Sequence, residues 1–276
     1  MAITASEVNK LRQQTGAGMM DCKNALVEAN GDFEAAIDIL RKKGQKIAAK
    51  RGENEAKEGL IIAQASEDGK FGVLVTLNCE TDFVAKNDGY RALVQSLVDI
   101  ALKNRPESIE EFKSLSYDGK LTVEEKLTEQ IGVIGEKLDL SGYGTIAADK
   151  VVAYNHPGNQ LATLVGLNSS SDAAEDAGRQ VAMQVAAMNP IALNKDGVDA
   201  RTIEREIEVG KELAIQEGKP AEMAEKIAMG RLNKFFQENT LLSQSFVRDN
   251  KVTVEQFLVS AENGLTIVDF KRFSLS

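Results

Sequence analysis

Length, composition and charge limit what this chain can be. At 276 residues it is long enough for two or three small units, each with its own core. The 42 Asp and Glu residues outnumber the 33 Lys and Arg residues and give a net charge of −9, so the molecule as a whole repels phosphate backbones and anionic lipid. We therefore expect neither a direct nucleic acid partner nor a membrane partner.

Cysteine usage and the start of the chain predict a cellular compartment. Cys22 and Cys79 are the two cysteines, and the first residues lack the long apolar stretch of a secretory signal. No run of about 20 apolar residues, the length that spans a bilayer, occurs in the sequence. We therefore expect a cytoplasmic protein whose thiols are reduced.

The first 44 residues predict three short helices that share one small core. Thr4 and Glu7 have the spacing of a capping box at the start of the first helix. Asp32 is placed to cap the third helix, in which apolar residues recur at helical spacing: Phe33, Ala36, Ile37 and Leu40. The polar residues 45–54 are either a linker or an extension of that helix. Because they offer few apolar contacts, we expect the three helices to behave as a tethered module.

A strand-to-helix turn at residues 80–88 contains an aromatic residue, Phe83. The run before it, Gly72–Leu77, predicts a strand, and apolar residues recur at helical spacing after it: Leu93, Leu97, Ile100 and Ala101. Asp82 is placed where an N-cap would lie. Phe83 either folds back into the core or is exposed and contacts a partner.

The strand, turn and helix occur twice along the chain. Asn78 and Asp82 are four residues apart in the first copy, and Asn168 and Asp172 repeat this spacing in the second. Each copy is preceded by a further strand, at residues 60–65 and 151–154. The pattern predicts a β-hairpin followed by a helix, used twice.

The two copies differ at the aromatic residue. The second copy keeps the aspartate but has Ala173 at the position that corresponds to Phe83. A ring required for the shared packing would have a larger apolar counterpart than alanine. The difference favours an exposed and functional Phe83.

Three further elements are predicted around the second copy. Thr122 and Glu125 form another capping box, at the start of a helix that we expect to pack on the sheet. Residues 200–231 predict an antiparallel helical hairpin that is interrupted at Gly218 and Pro220. Its charged flanks favour projection from the body, and an ordinary core helix pair is the alternative. Residues 267–273 predict a closing strand.

The residue types give no indication of a catalytic, metal or cofactor site. His156 is the single histidine, and no CxxC or HExxH spacing is present. A Cys–His nucleophile would need Cys22 or Cys79 beside that histidine. Residues 142–147 match G-x-G-x-x-A, but they lack the strand–turn–helix setting that gives this motif its meaning. We expect no metal, no cofactor and no catalytic residue.

Several segments together resemble one known family. Thr81–Lys86 is similar to the Thr-Asp-Phe-Val-Ala-Lys signature of bacterial elongation factor Ts, the nucleotide exchange factor for the GTPase elongation factor Tu. Further similar segments are Leu11–Asp32, Gly218–Pro220, Met223–Lys226, Gly230–Arg231 and Gln244–Val247. They cover nearly the whole chain in the order of the family.

The resemblance implies an α+β fold. A three-helix bundle of the ubiquitin-associated type precedes a duplicated β-hairpin/helix core with an inserted antiparallel helical hairpin. The predicted segments are the bundle with its linker (1–54), the core N-subdomain (55–140), the first part of the core C-subdomain (141–199), the coiled-coil-like hairpin (200–231) and the closing part of the C-subdomain (232–276).

The resemblance also implies a function without catalysis. The chain would bind elongation factor Tu–GDP and promote GDP release, with Phe83 as an apolar wedge near the magnesium site of the GTPase. Asp82 would shape the turn, and Thr81 and Val84 would support it. Additional partner-binding residues implied by the family are Gly16, Met19, Met20 and His156, and the helical hairpin is a candidate homodimer surface. The alternative functions are a ubiquitin-like-binding adaptor or scaffold without exchange activity, and an enzyme with an unrecognised carboxylate site.

Overall fold

The computed structural model describes residues 3–275, apart from the side chain of Ala221. Residues 1, 2 and 276, at the ends of the first and last predicted segments, lie outside the described residues. The fold is α+β, as predicted, and consists of helices and small sheets. Within residues 3–275, no helix is long and apolar enough to cross a membrane.

The chain begins with three helices, α1 (Ala5–Thr15), α2 (Met19–Glu28) and α3 (Phe33–Arg51). The predicted capping box at Thr4 and the predicted cap at Asp32 are both present. The helices share a core formed by Val8, Leu11, Ala17, Cys22, Ala25, Leu26 and Ala36. Residues 45–54 were predicted to be either a linker or an extension of the third helix. Most of them belong to α3, so the extension is correct.

The first copy of the repeat contains three strands and four helices. They are β1 (Glu58–Ala65), β2 (Phe71–Cys79), α4 (Asp82–Ala85), α5 (Asp88–Asn104), α6 (Ile109–Ser114), α7 (Val123–Ile134) and β3 (Leu138–Ala147). The strands form one sheet in the order β1-β2-β3. Helix α7 packs against α3. The expectation of a tethered bundle was therefore wrong, because α3 continues past the three-helix core and packs on this later helix.

The second copy forms a corresponding sheet. Its elements are β4 (Lys150–Asn155), β5 (Leu161–Leu167), α8 (Asp172–Met188), α9 (Ala200–Gln216), α10 (Ala221–Asn239), β6 (Ser245–Phe246), β7 (Asp249–Thr253), α11 (Val254–Ala261) and β8 (Ile267–Ser274). The antiparallel order is β4-β5-β8, with Val165 opposite Val152 on one side and Phe270 on the other. The predicted closing strand is therefore confirmed as β8.

The repeat extends further than the sequence predicted. In each copy a late helix begins with a capping box, at Thr122 for α7 and at Thr253 for α11, and leads into the third strand of its sheet. The prediction missed the third strand of the first copy because its residues 142–147 were considered only as a glycine motif. These residues lie within β3.

The helical hairpin is present and is formed by α9 and α10. Helix α10 continues to Asn239, eight residues beyond the predicted end at residue 231. Gly218 in the connection has a φ of +74°, which lies in the left-handed region that favours glycine. The two helices approach closely at Gly210, where a Cβ would lie 3.1 Å from the Cα of Ala228. Each helix therefore buries small residues against the other.

The packing divides the chain into two compact units. One comprises residues 3–62 and 75–143, and the other comprises residues 63–74 and 144–274. The core of the second unit is formed by residues of β4, β5, β8, α8 and α11 together with Leu241, Phe246 and Leu265. The five predicted segment boundaries remain predictions.

Candidate functional site

Phe83 lies on a short helix between β2 and α5. This helix, α4, has four residues, and the Phe83 side chain is 82% exposed. Its neighbour Val84 is half-buried, and Ala85 faces inward and is buried. The Phe83 ring is therefore exposed and does not fold back into the core.

The cap of α4 differs from the prediction. Thr81, with φ −127° and ψ 152°, is the N-cap, and its hydroxyl accepts a hydrogen bond from Val84 N at 3.4 Å. Asp82 is already helical and pairs with Lys86 at 2.6 Å. That hydrogen bond holds the pKa of Asp82 below its ordinary value. The prediction that Asp82 is the cap was wrong because the extended backbone needed at an N-cap occurs one residue earlier.

Among the described residues of the second copy, no helix corresponds to α4. The long helices α5 and α8 both have 17 residues, and both end at a left-handed residue, Arg105 or Asn189, that precedes a proline. Residues 79–87 separate Asn78 from α5, whereas only residues 169–171 separate Asn168 from α8. The first copy therefore contains six additional residues before its long helix.

This insertion changes how the two copies correspond. Phe83 and Ala173 are matched in their distance from the caps Thr81 and Ser171, and both are exposed. The helix of the first copy then stops and restarts at a new cap, Asn87, whose side chain accepts from Gly89 N at 2.8 Å. The ring thus belongs to an extra turn on the shared scaffold.

Two buried side chains bind the backbone next to the α4 turn. Tyr90 is 2% exposed and donates its hydroxyl to Leu77 O at 2.6 Å. The Cys79 thiol donates to Thr81 O at 3.2 Å. Burial raises the pKa of Cys79 to about 11, so the thiol stays protonated at neutral pH. Its role is packing and hydrogen bonding rather than nucleophilic chemistry.

Two carboxylates bind the backbone next to the turn. Glu136, just after α7, accepts from Thr81 N at 3.0 Å and from Thr81 Oγ1 at 2.6 Å. Glu80 accepts from Lys137 N at 2.6 Å and from the Arg51 guanidinium at 2.7 and 2.9 Å. Burial raises the pKa of Glu80, but these hydrogen bonds outweigh it and lower the pKa overall. Sequence reasoning missed these partners because no local pattern connects residues so far apart in the chain.

A second exposed apolar group lies in the same compact unit. Gly16 ends α1 with a φ of +72°, and Met19 and Met20 begin α2 with side chains that are 47% and 62% exposed. Methionine is flexible and polarizable, which suits it to contact surfaces. The three predicted residues therefore form an accessible turn between two helices.

His156 lies in the other compact unit, in the exposed loop between β4 and β5. Its Nδ1 is 3.0 Å from the Tyr154 hydroxyl. Both rings line a groove of about 430 Å³, together with Leu161, Gln180, Met183, Ala186, Ala187, Val247 and Arg248. In the part of the chain that is described, no three His, Cys, Asp or Glu side chains are placed to hold a metal ion.

Comparison with known proteins places this chain in a family. The sequence model of the family described as Elongation factor TS matches residues 80–276. The chain is 52% identical over 273 residues to elongation factor Ts of Christiangramia forsetii, covering 99% of this chain and 98% of the relative. It is 53% identical over 275 residues to elongation factor Ts of Amoebophilus asiaticus, again covering 99% and 98%. Identity to elongation factor Ts of Cytophaga hutchinsonii is 50% over 275 residues, covering 99% of both chains. With its fold and its Thr81–Lys86 turn, this chain belongs to the elongation factor Ts family of translation elongation factors.

Proposed function

We propose that this chain binds elongation factor Tu in its GDP-bound form and promotes GDP release by protein contact, without catalysing a reaction. The observation that supports the proposal is the 82% exposed ring of Phe83 on a short helix that side chains hold at its root. An apolar ring held in that way can enter a partner with little further ordering. The cytoplasmic location and a homodimer through the hairpin remain predictions.

The mechanism follows from linkage. A partner that binds the nucleotide-free GTPase more tightly than the GDP-bound form must lower the affinity for GDP by the same factor. Burying the ring in the complex contributes on the order of 2 kcal/mol, and this can offset the packing that the GTPase gives up near its magnesium site. Phe83 is therefore the wedge in this proposal.

The neighbouring residues have supporting roles. Thr81 caps the helix that carries the ring, and Val84 donates its backbone N–H to that cap. Asp82 pairs with Lys86 along the same turn. These interactions hold the backbone of α4 and so fix where the Phe83 side chain leaves it.

Additional contacts would add affinity at other positions. We include Gly16, Met19 and Met20 as a docking turn, because its two methionine side chains are exposed. We also include His156, which lines the apolar groove of the second unit. Neither surface contains the wedge, so each should affect affinity more than the maximal rate of GDP release.

The test is release of labelled GDP from elongation factor Tu, measured as a function of the concentration of this protein. Phe83→Ala should lower the maximal rate by about tenfold or more, the effect of losing roughly 1.4 kcal/mol of differential binding. Because the ring is exposed, the melting temperature should stay close to that of the wild type. A wild-type rate from folded Phe83→Ala would contradict the proposal.

Two matched variants sharpen the test. Excising residues 82–87 joins Thr81 directly to Asp88, which copies the connection between Ser171 and Asp172 in the second copy. This variant should fold and should lose exchange as Phe83→Ala does. Adding Ala173→Phe to Phe83→Ala places a ring at the same distance from a cap in the wrong copy. Restored exchange in that double variant would show that the position of the ring is not what matters.

A further inference from the structure

In the first copy, the segment after β2 and the segment after α7 bind each other through carboxylates. Glu80, after β2, accepts the backbone N–H of Lys137, and Glu136, after α7, accepts the backbone N–H of Thr81. Each segment thus supplies an acceptor for an amide of the other. Hydrogen bonds with one ionised partner are about twice as strong as neutral ones, so this pair is well suited to hold two loops in register.

The hydroxyl of Thr81 adds direction to this arrangement. It has one proton, and that proton is donated to Glu136 Oε1 at 2.6 Å. Its lone pairs are then available for Val84 N, which donates to it at 3.4 Å. The carboxylate therefore sets the orientation in which Thr81 caps α4.

Helix α4 depends on such external support. A helix of four residues is far shorter than the roughly 12 residues that an isolated helix needs for marginal stability. The turn must therefore be held by contacts outside itself. The backbone and hydroxyl bonds to Glu136 lie at Thr81, the N-cap of α4, two positions before Phe83.

We propose that Glu136 is a positioning residue for nucleotide exchange, which acts through Thr81 to hold the α4 turn and so fixes the direction of Phe83. This inference rests on the proposed function of Phe83. Glu136 itself is partly buried and contacts the cap, so it acts without touching the partner in this proposal. Removing the Glu136 carboxylate should therefore leave Phe83 in the chain but no longer hold its ring in one position.

The second copy supplies an internal control. There the Ser171 hydroxyl, which caps α8, donates to the carboxylate of Glu262. That contact has the same chemistry, but the helix it caps continues without interruption for 17 residues and carries no ring near its start. Glu262→Ala therefore measures the structural effect of removing such a carboxylate, without an effect on the wedge.

The experiment compares Glu136→Ala, Glu136→Gln and Glu262→Ala with the wild type, by amide hydrogen exchange of residues 81–86 and by labelled-GDP release. We expect faster amide exchange in that segment only for the Glu136 variants. The maximal GDP-release rate should fall by about tenfold or more for Glu136→Ala, because this variant removes both hydrogen bonds between the carboxylate and Thr81. Glu136→Gln keeps one acceptor and should fall less. Glu262→Ala should stay within about twofold of the wild type.

Two further results decide between the hypotheses. In the Phe83→Ala background, Glu136→Ala should produce no additional loss, since no ring remains to be positioned. Unchanged amide exchange at residues 81–86, or a loss of GDP release equal to that of Glu262→Ala, would overturn the role of Glu136. If Phe83→Ala alone released GDP at the wild-type rate while Glu136→Ala still increased amide exchange in the turn, the proposed function of Phe83 would have failed instead. The link between Glu136 and GDP release would fail with it. Should Glu136→Ala not fold, Thr81→Val removes the hydroxyl while keeping the shape of the side chain and tests the same contact.

Discussion

Gly132 and Gly44 lie at the point where α7 crosses α3. A Cβ placed on Gly132 would lie 2.7 Å from the Cα of Gly44, and one placed on Gly44 would lie 2.9 Å from Thr128 O. The two backbones are therefore closer than any side chain permits. This crossing attaches the amino-terminal helices to the helix that precedes Glu136.

Gly132→Ala should destabilise the protein by about 1–3 kcal/mol, because the added methyl group forces two backbones apart. Urea denaturation followed by circular dichroism would measure the loss. Gly230→Ala in α10 is the matched control, since none of the described atoms lies within 4 Å of a Cβ placed on Gly230. That control should be neutral or gain up to about 1 kcal/mol from helix propensity. Equal effects of the two substitutions would mean that the crossing is not close packed.

Tyr90→Phe should lower stability by about 1–2 kcal/mol, because it removes the donor to Leu77 O and leaves a buried carbonyl without that bond. The aromatic ring at position 90 remains packed, so GDP release at saturating protein should stay near the wild-type rate. The melting temperature and the release rate together check this prediction. A variant of unchanged stability would contradict this contribution of the Tyr90 hydroxyl.

Glu80→Gln should show a pH-dependent loss of stability. The pKa of Glu80 is lowered from its ordinary value of 4.5 in the folded protein, so its contribution is fully present above about pH 4.5 and is lost as the pH falls through the folded pKa. The difference between wild type and variant should be largest at neutral pH and should shrink in acid. Denaturation at several pH values measures it. The other carboxylates are present in both proteins, so their contributions cancel in the stability difference. A difference that grew in acid would contradict the lowered pKa of Glu80.

Local patterns predicted the caps well where the partner lies three residues away. Thr4 with Glu7 and Thr122 with Glu125 form the capping boxes that their spacing indicated. The choice between Thr81 and Asp82 could not be made in this way. Both residue types cap helices, and Glu136, which binds the Thr81 hydroxyl, is 55 residues away in the chain.

The sequence predicted an exposed Phe83 but not the construction of the turn that carries it. The difference between Phe83 and Ala173 correctly favoured an exposed ring. The insertion that carries the ring was missed, because Asn78 and Asn168 align the strands at one spacing and the helices α5 and α8 align at another. A single sequence offers no signal for such a change of register, since buried positions recur with the same period on both sides of it.

Replacing residues 204–233 with a short Gly/Ser linker should leave the second unit folded. Among the described residues of the hairpin, those that are buried pack mainly between its two helices, and they are Gly210, Ala214, Ala224, Ala228 and Leu232. Its base is closed by hydrogen bonds from Ile191 N to Asn239 O and from Leu241 N to Ala192 O, both 2.9 Å, which the replacement keeps. Cooperative melting of the variant would be the expected result. Leu241→Ala, a fully buried core substitution, should by contrast cost about 2–5 kcal/mol.

Met20→Ala should weaken binding to elongation factor Tu while leaving the fold unchanged. The side chain is 62% exposed, so its removal should shift the stability by less than about 0.5 kcal/mol. If the turn docks on the GTPase, removing this side chain should raise the concentration needed for half-maximal GDP release by about tenfold at most, with the maximal rate preserved. Met229→Ala, which removes a 45% exposed methionine from the helical hairpin, is the matched control and should leave the half-maximal concentration unchanged. A Met20 variant that released GDP with the wild-type concentration dependence would remove this turn from the binding surface.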